Sequence, residues 1–482
     1  MIKKTIKAIL ISLAFLLSFM ALFSANWYVT VFGNVGFRSI IFTLFSSMKG
    51  TAGGIVYDWL LKGLLPSVLC AAILCVFYFS KINIKKVIKK AICIVLCLCL
   101  WGYGICAVGI PSFVGGMFTK TKLYDQNYAN PNTTKITFPE KRRNLVYIIL
   151  ESMETTYFSK DQGGALSQNV VPKLYDLAKN NTNFSHSNDV GGWGYVTNTS
   201  WTSASLVAQT SGVPLSMPLI YTVPKAESNF VPSITTLGDI LHQNGYNQTV
   251  MFGSVASYGG RENYFLQHGI DKVLDYESAK EENFIPKDYH VWWGMEDTKL
   301  ISYAKQELTN LSRQDKPFSF TMLTADTHHI SGYVCKNCKN QFPTQYENVL
   351  NCSSEQICKF VEWIKAQPFY ENTTIVVIGD HLTMDATFIR TNTPKGYTRH
   401  VYNCFINPAK NAKNQKNRTF TPMDIFPTTL SALGCEIKGE RLGIGTNLFS
   451  NKKTLAEEMT LKTLNCEINK SSKFYVENFI KQ

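Results

Sequence analysis

Acidic residues are almost missing from the first quarter of the chain. Asp58 is the only acidic residue before residue 119, whereas eleven lysines and arginines occur there. Most of the net charge of +13 therefore belongs to this first part, and the rest of the chain is close to neutral. A nucleic-acid-binding protein concentrates its basic residues on the surface that meets the phosphates. Because the basic excess here lies among apolar segments instead, we predict no nucleic-acid partner.

Long apolar runs explain where these charges lie. Three stretches reach the roughly 20 residues that cross a bilayer, namely residues 8–25, 59–80 and 91–110. Lysines precede the first stretch and separate the second from the third, and the positive-inside rule puts both groups in the cytoplasm. Residues 1–118 are thus predicted to form a membrane anchor of three transmembrane helices, with residues 119–482 outside. The run Ile40 to Phe45 is too short to span and is predicted to lie at the interface. A cleaved signal peptide at residues 1–25 is the alternative.

The remaining sequence has no internal repeat and no low-complexity tract. Residues 119–143 are polar and are predicted to be a juxtamembrane linker. Three short runs then read as strands that are apolar on both faces, at residues 145–150, 318–323 and 374–378. Such runs are typical of a mostly parallel, buried sheet, and helical patterns at 298–311 and 355–366 lie between them. We therefore predict an α/β domain over residues 144–482, with helices flanking a central sheet.

The cysteines lack the pattern of a zinc site. Cys335 and Cys338 are two residues apart, but no second cysteine or histidine pair follows at zinc-site spacing. Seven of the thirteen cysteines lie after residue 119, and some of them should be oxidised in an exported domain. We predict a local disulfide between one cysteine of this pair and Cys352.

Polar residues directly follow the predicted strands. Glu151 ends the first, His328 follows the second, and Asp380 and His381 follow the third. In open α/β sheets ligands bind at the carboxyl ends of the strands, so these side chains are expected to converge. Carboxylates and imidazoles from separate strands suit a divalent cation that holds phosphate oxygens.

These residues lie in recognisable segments. Residues 144–154 resemble the opening strand of the sulfatase-like phosphoglycerol transferases, a group of the alkaline phosphatase superfamily that includes periplasmic glucan transferases and lipoteichoic acid synthases. Further segments resemble the family's nucleophile, histidine, metal and C-terminal motifs in the expected order, at residues 200–215, 324–329, 379–384, 424–428 and 441–448. The resemblance covers about residues 144–450. It is nearer to the glucan-type enzymes, because of the Asp-Thr-His-His and Gly-Asp-His-Leu strings and Cys352.

The resemblance implies a metal site and a nucleophile. Four residues are expected to bind one divalent ion, Mn²⁺ by expectation and Mg²⁺ or Zn²⁺ otherwise: Glu151, Thr202, Asp380 and His381. Thr202 is also the expected nucleophile, because coordination to a cation favours the alkoxide form of a hydroxyl. Ser203 and Ser205 are neighbouring hydroxyls that compete for this role.

The resemblance also implies substrate contacts. His328 is expected beside the phosphate as a catalytic and substrate-binding residue, and His329 is its rival. Arg261 matches an arginine that lies near the glycerol phosphate in related synthases, and its guanidinium suits phosphate geometry. The aromatic residue expected two positions before that arginine is replaced by Gly259.

The function implied is that of an enzyme of the bacterial cytoplasmic membrane with its catalytic domain on the periplasmic side. It would take a phosphoglycerol group from phosphatidylglycerol through a covalent phosphothreonine, release diacylglycerol, and pass the group to a glycan or polymer acceptor. A phosphoethanolamine transferase acting on lipopolysaccharide is the first alternative. A sulfatase is disfavoured because no Cys/Ser-x-Pro-x-Arg string is present. A non-catalytic assembly or binding protein is disfavoured because all four expected ligands are retained.

Overall fold

The computed structural model describes residues 2–33, 36–45, 53–216 and 230–481. Its N-terminal helices are α1 Ile2–Phe32, α2 Phe37–Phe45, α3 Gly53–Trp59, α4 Leu65–Phe79, α5 Lys86–Ala107 and α6 Ile110–Phe118. A π-helical turn at Leu60–Leu64 joins α3 to α4. Three helices are long and apolar enough to cross a membrane, at residues 2–32, 54–79 and 86–107. Each of these helices contains most of one predicted span, and α1 extends beyond residues 8–25 at both ends. That they cross a membrane stays a prediction.

The domain that follows the N-terminal helices is built on a seven-stranded sheet and has two small two-stranded sheets, β1-β9 and β10-β11. The strands of the described residues are β1 Ile136–Thr137, β2 Asn144–Leu150, β3 Gly192–Trp193, β4 Asn247–Phe252, β5 Lys272–Leu274, β6 Phe318–Leu323, β7 Thr373–Gly379, β8 Val401–Ile406, β9 Glu436–Ile437, β10 Arg441–Leu442 and β11 Gly445–Thr446. The sheet order is β3-β8-β7-β2-β6-β4-β5. The strands from β7 to β5 are parallel, and β8 and β3 form an antiparallel edge. The predicted mostly parallel sheet is confirmed.

Helices cover both faces of this sheet. They are α7 Leu123–Asn127, α8 Pro172–Lys179, α9 Thr202–Ser211, α10 Leu237–Gln243, α11 Arg261–Gln267, α12 Tyr276–Glu281, α13 Asp297–Ser312, α14 Gln345–Lys365, α15 Ala386–Asn392, α16 Pro422–Ala432, α17 Leu455–Met459, α18 Leu461–Asn469 and α19 Lys473–Tyr475. Along β2, Tyr147 and Ile149 join one apolar cluster with α9 and α16, whereas Ile148 and Leu150 join another with α13 and α14. Alternate side chains of a strand point to opposite faces, so β2 is buried on both sides. Burial on both faces explains why the sequence of β2 is apolar throughout, without the polar alternation of a strand that has one exposed face.

Helix α14 begins ten residues before the predicted helix at 355–366. Thr344 accepts the N–H of Glu347, and the Glu347 carboxylate accepts the N–H of Thr344. This capping box satisfies N–H groups that a helix start leaves free. It fixes the beginning of α14 at Gln345, in a stretch too polar to be recognised from its apolar pattern.

The segment predicted as a linker contacts the domain along its length. Residues 123–127 form α7, and Ile136 of β1 pairs with Ile437 of β9. Ala129 and Gly443 exchange backbone hydrogen bonds at 2.8 and 2.9 Å. Leu123 is buried in the same cluster that covers one face of the sheet. Residues 119–143 therefore extend the domain's packing toward the anchor.

The last helix of the anchor is also tied to the C-terminal part of the chain. Ser471 donates its N–H to the carbonyls of Gly116 and Thr119, both at 2.9 Å, and Thr121 donates back to the Ser471 carbonyl. The side chain of Asn469 donates to the Ser112 carbonyl at 3.2 Å. A Cβ at Gly116 would lie 2.3 Å from the Asn469 carbonyl oxygen. We call these contacts between α6 and residues 469–471 the α6 junction.

Candidate active site

The polar residues predicted at the strand ends lie at one edge of the sheet. Glu151 follows β2, Asp380 follows β7, and His328 lies beyond β6, and these three strands are neighbours. The backbone N–H of Asp380 donates to the Leu150 carbonyl at 3.1 Å. The backbone N–H of Glu151 donates to the Thr324 hydroxyl at 2.9 Å. The loops after the three central strands are thus hydrogen-bonded to one another.

Thr202 and three of the other predicted residues form one cluster. His381 Nε2 lies 3.2 Å from Asp380 Oδ2 and 3.7 Å from Glu151 Oε1. Thr202 Oγ1 lies 3.3 Å from the same histidine nitrogen and 3.4 Å from Glu151 Oε2. Both carboxylates and the imidazole are buried. The structure therefore brings together the four residues that the resemblance implied as metal ligands.

The free atoms of this cluster fit a divalent cation. His381 donates its Nδ1–H to the Leu382 carbonyl at 2.9 Å, so Nε2 keeps its lone pair toward the cluster. Asp380 Oδ1 accepts two backbone N–H groups, whereas the buried Oδ2 has no hydrogen-bond partner among the described residues. Burial and then the charge of Asp380 raise the pKa of Glu151. Two carboxylates at such close range repel each other, and a bound cation relieves that repulsion.

Thr202 is distinguished from the two neighbouring serines by its environment. Ser203 donates its hydroxyl to the Gly259 carbonyl at 2.9 Å, and Ser205 donates to the Asp380 carbonyl. Both serines are thus engaged with backbone groups, whereas the Thr202 hydroxyl faces the cluster. Thr202 is also the first residue of α9, and the N-terminal end of a helix favours negative charge. Of the three competing hydroxyls, Thr202 alone faces the cluster of Glu151, Asp380 and His381.

The two predicted histidines are stacked, with ring centroids 4.4 Å apart. His328 donates its Nδ1–H to the His329 carbonyl at 2.7 Å, which fixes the ring and leaves Nε2 for a substrate. His329 has no hydrogen-bond partner for either nitrogen in the described part of the chain, and its ring packs edge-on against Phe32 of α1 at 5.0 Å. Burial lowers the pKa of both imidazoles, so both are neutral near pH 7. The fixed orientation of His328 favours it over His329 for a role in proton transfer.

Arg261 is a buried cation with one unused donor. Its guanidinium donates to the carbonyls of Tyr258 and Val255 and to the Ser254 hydroxyl, at 2.8–3.0 Å. The remaining nitrogen, Nη1, is buried and has no partner among the described residues. Burial lowers the pKa of Arg261 to about 10, so it stays charged at neutral pH. The ring of Trp293 lies 5.9 Å from the guanidinium carbon. This arrangement is ready to receive an anion.

A partly buried ion pair that the sequence did not reveal supports the loop after β7. The Arg399 guanidinium donates to both carboxylate oxygens of Glu154 and also to the Thr383 carbonyl at 2.8 Å. Glu154 Oε1 accepts the N–H of Thr383 at 3.3 Å. The pair thereby holds the loop that carries His381. Glu154 lies within the first family-like segment, but its partner is 245 residues away and has no motif around it.

The predicted disulfide lies at the edge of the site. Cys335 Sγ lies 3.7 Å from Cys352 Sγ and 3.7 Å from Cys338 Sγ. All three are free thiols in the structure. The three sulfur atoms are therefore neighbours, and the pairing stays a prediction.

Two carboxylates, an imidazole and the threonine at the start of α9 thus meet at one edge of the sheet. The family model described as Sulfatase matches residues 143–435, and the chain belongs to the sulfatase family. The expected likeness to phosphoglycerol transferases is confirmed. The chain is 34% identical to phosphoglycerol transferase I of Citrobacter koseri over 266 residues, which are 54% of this chain and 33% of that protein. The match thus spans about a third of the length of this curated relative.

Two solved structures share the fold. Lipoteichoic acid synthase LtaP from Listeria monocytogenes gives a TM-score of 0.52 at 16% identity and covers 68% of this chain and 80% of its own. Lipooligosaccharide phosphoethanolamine transferase A (EptA) from Neisseria meningitidis, an integral membrane protein, gives 0.51 at 14% identity. That match covers 89% of this chain and 84% of the other. At these identities the likeness concerns the fold.

Proposed function

We propose that this chain transfers a phosphoglycerol group from phosphatidylglycerol to a hydroxyl of an extracytoplasmic glycan or polymer. The group passes through a covalent intermediate on Thr202, and diacylglycerol is released. The observation that carries the proposal is the position of Thr202 Oγ1, 3.3 Å from His381 Nε2 and 3.4 Å from Glu151 Oε2. A hydroxyl in this position is activated for nucleophilic catalysis.

The site has separate groups for the phosphate and for the nucleophile. The free Nη1 of Arg261 donates to a non-bridging phosphate oxygen of the donor. Glu151, Asp380, His381 and Thr202 hold a divalent cation, Mn²⁺ in this proposal, which when bound supplies the positive charge that favours the threonine alkoxide and neutralises phosphate oxygens. Positioning and charge stabilisation are the main requirements of phosphoryl transfer.

The proton balance gives His328 its role. In the first half-reaction Thr202 Oγ1 forms a bond to phosphorus, the bond from phosphorus to the diacylglycerol oxygen breaks, and Thr202 loses the proton that the leaving oxygen gains. In the second half-reaction the oxygen of an acceptor hydroxyl forms a bond to phosphorus and loses its proton, and Thr202 regains a proton as the phosphothreonine bond breaks. His328 is neutral, and its Nε2 has no hydrogen-bond partner among the described residues because only Nδ1 is used, by the His329 carbonyl. It can therefore take up a proton and return it in each half-reaction.

Phosphoethanolamine transfer is the second candidate, and one feature favours it. The aromatic rings of Trp201, Tyr258 and Trp293 lie close to the site, and such rings can receive an ammonium group. A glycerol group needs hydrogen-bond partners instead. The mass of the intermediate separates the two candidates.

The test is intact-mass analysis of the detergent-solubilised full chain after incubation with phosphatidylglycerol and Mn²⁺. We expect the intact mass to increase by one phosphoglycerol and diacylglycerol to be released. Peptide mapping of the same sample should place the addition on the peptide that contains Thr202. Thr202→Ala should abolish both, and Thr202→Ser should keep part of the activity because the hydroxyl remains. Metal analysis of the same sample should find about one divalent ion per chain.

Ser211→Ala is the matched control, since the Ser211 hydroxyl lies in α9 and donates to the Val207 carbonyl of the same helix. This variant should form the adduct as the wild type does. Undiminished turnover in Thr202→Ala would falsify the covalent scheme. An adduct that forms only with phosphatidylethanolamine would replace phosphoglycerol by phosphoethanolamine.

A further inference from the structure

The anchor and the catalytic domain enclose a cavity that contains the candidate nucleophile. The cavity has a volume of about 410 Å³, which lies in the range of about 300–1,000 Å³ typical of ligand pockets. Thr202, Arg261 and His328 line its domain side. Residues of α1, α2 and α3 line its other side. The anchor thus supplies part of the wall of the active site.

The anchor side of the cavity is apolar and firmly built. Its aromatic and aliphatic lining residues are Trp27, Phe32, Ile40, Phe42, Leu44, Ile55, Val56 and Trp59. The indole N–H of Trp27 donates to Asp58 at 2.8 Å, which ties α1 to α3. Tyr28 of α1 and Ser39 of α2 share a hydrogen bond of 2.8 Å. Among the described residues that line the cavity, Arg261 is the only lysine, arginine or carboxylate, and it lies on the domain side.

The rim of the cavity is open toward the membrane. Leu44 and Val56 line the cavity although their side chains are 66% and 49% exposed. Trp27, Tyr28 and Trp59 lie beside them at the ends of helices long enough to span. Tryptophan and tyrosine favour the membrane–water interface. The rim therefore lies where the hydrocarbon of the bilayer meets the headgroups.

Phe42 of α2 lies in the cavity wall where the anchor contacts the domain. Its ring packs against Trp201, the residue before the nucleophile, with centroids 5.8 Å apart, and against Phe230 at 5.7 Å. A Cβ on Gly259 would lie 3.8 Å from the Phe42 ring and 2.6 Å from the Ser203 hydroxyl. Gly259 also has a φ of +64°, which side chains other than glycine rarely adopt. The aromatic residue expected at position 259 is thus replaced in space by a ring from the anchor.

We infer that this cavity binds the glycerol backbone and the first methylene groups of the acyl chains of a membrane lipid donor, which enters from the bilayer past the exposed Leu44 and Val56. The identity of the headgroup rests on the proposed function, whereas the acyl site rests on the cavity itself. The lipid phosphate reaches Arg261 and Thr202 while the acyl chains leave across Leu44 and Val56 into the bilayer. The anchor is then a part of the substrate site as well as a tether.

The test is photo-crosslinking of the full chain in phosphatidylcholine nanodiscs. The probe is phosphatidylglycerol with a diazirine near the carbonyl end of one acyl chain. We expect the crosslinks to map to the lining residues of α2 and α3. In the double variant Leu44→Gln, Val56→Gln the yield there should fall about tenfold, as expected for a loss of affinity of about one order of magnitude.

Leu61→Gln is the matched control. Leu61 is an apolar residue of the continuous helix at residues 54–79 that also contains Val56, it is 46% exposed, and it lies outside the cavity lining. It should label like the wild type. Crosslinks confined to the outward faces of α4 and α5, or an equal yield at α2 and α3 in the double variant and the wild type, would overturn the inference. The wild-type map decides even if the double variant does not fold.

A second arm separates this inference from the proposed function. The same diazirine is placed on phosphatidylethanolamine, and adduct formation on Thr202 is measured in parallel for both lipids. Labelling of α2 and α3 without a phosphoglycerol adduct would support the acyl site and refute the proposed headgroup. An adduct without labelling there would support the proposed function and refute the acyl site.

Discussion

At the scale of single residues, Asp297 and Asp326 are two buried carboxylates whose charges interact. Asp326 Oδ1 accepts the N–H of Asp297 at 3.0 Å, and its buried Oδ2 has no hydrogen-bond partner among the described residues. Asp297 accepts the N–H of Ala325 at 2.7 Å and the hydroxyl of Ser353 at 3.2 Å. Burial and then the charge of Asp297 raise the pKa of Asp326 far above that of a free carboxyl. Asp326 therefore keeps its proton at neutral pH.

This protonation makes the stability of the wild type depend on pH. The folded state binds a proton that the unfolded state releases above about pH 4, the ordinary pKa of aspartate. The stabilising contribution is complete below that pH and is lost as the pH rises toward the folded-state pKa, by up to about 1.4 kcal/mol per pH unit. Asp326→Asn, which has the shape of the protonated acid, should remove this dependence. The melting temperature of the variant minus that of the wild type should then increase from pH 5 to pH 9.

The control is Asp161→Asn, at an exposed aspartate, which should give a constant difference over the same range. Differential scanning fluorimetry of the detergent-solubilised chain measures both. A difference for Asp326→Asn that stays flat with pH would show that Asp326 is ionised in the folded protein.

The sequence predicted the residues of the cluster but not the contacts that hold them. Glu151 and Asp380 directly follow apolar runs, and parallel strands bring their ends together, so their convergence could be deduced. The pairing of Glu154 with Arg399 depends on the path of the chain through the whole domain. Nor does the sequence reveal that Arg261 Nη1 lacks a partner among the described residues, because this depends on how the loop of residues 254–258 folds around the other guanidinium nitrogens.

At the scale of elements, the loop after β6 carries His328, His329 and Cys335 and lies against α14. Cys352 is on α14, with its sulfur 3.7 Å from that of Cys335. We predict that Cys335 is disulfide-bonded in the exported protein, to Cys352. Such a bond would close a loop of 17 residues and stabilise the fold by about 3 kcal/mol. Because it would also restrain the histidine loop, reduction should lower turnover as well as the unfolding midpoint.

Peptide mapping without reductant checks the pairing. Cys404 serves as an internal reference, because it is buried in β8 and should be found as a thiol in either case. If Cys335, Cys338 and Cys352 all react with a maleimide in the native exported protein, no disulfide exists at this site.

Element boundaries show what the apolar pattern can and cannot reveal. The strands β2, β6 and β7 end within a residue of their predicted ends, since a run buried on both faces is visible without context. Helix α14 starts at a capping box in a polar stretch, and its start was missed. Residues 119–143 look like a linker because their contacts with β9 and Gly443 involve mainly backbone atoms.

At the scale of the whole molecule, the basic residues of the anchor predict its orientation. The lysines between the second and third spans should be cytoplasmic, and the domain after residue 118 should be exported. An alkaline phosphatase reporter fused after residue 118 should be active, and one fused at Lys86 should be inactive. A β-galactosidase fusion at each position is the matched control and should give the opposite pattern. Reporter activity at Lys86 but not after residue 118 would reverse the orientation.

The α6 junction has a consequence for which molecules can be acceptors. Since α6 is hydrogen-bonded to residues 469–471 and residues 119–143 pair with the domain, we expect the domain to stay close to the predicted anchor. Under the proposed function, the site then works at one height, near the lipid headgroups. We expect an acceptor that is free in solution to receive the group only when it is at the membrane surface. Under the proposed function, a long soluble polymer would thus receive the phosphoglycerol group on the hydroxyls of whichever segment lies at the membrane surface.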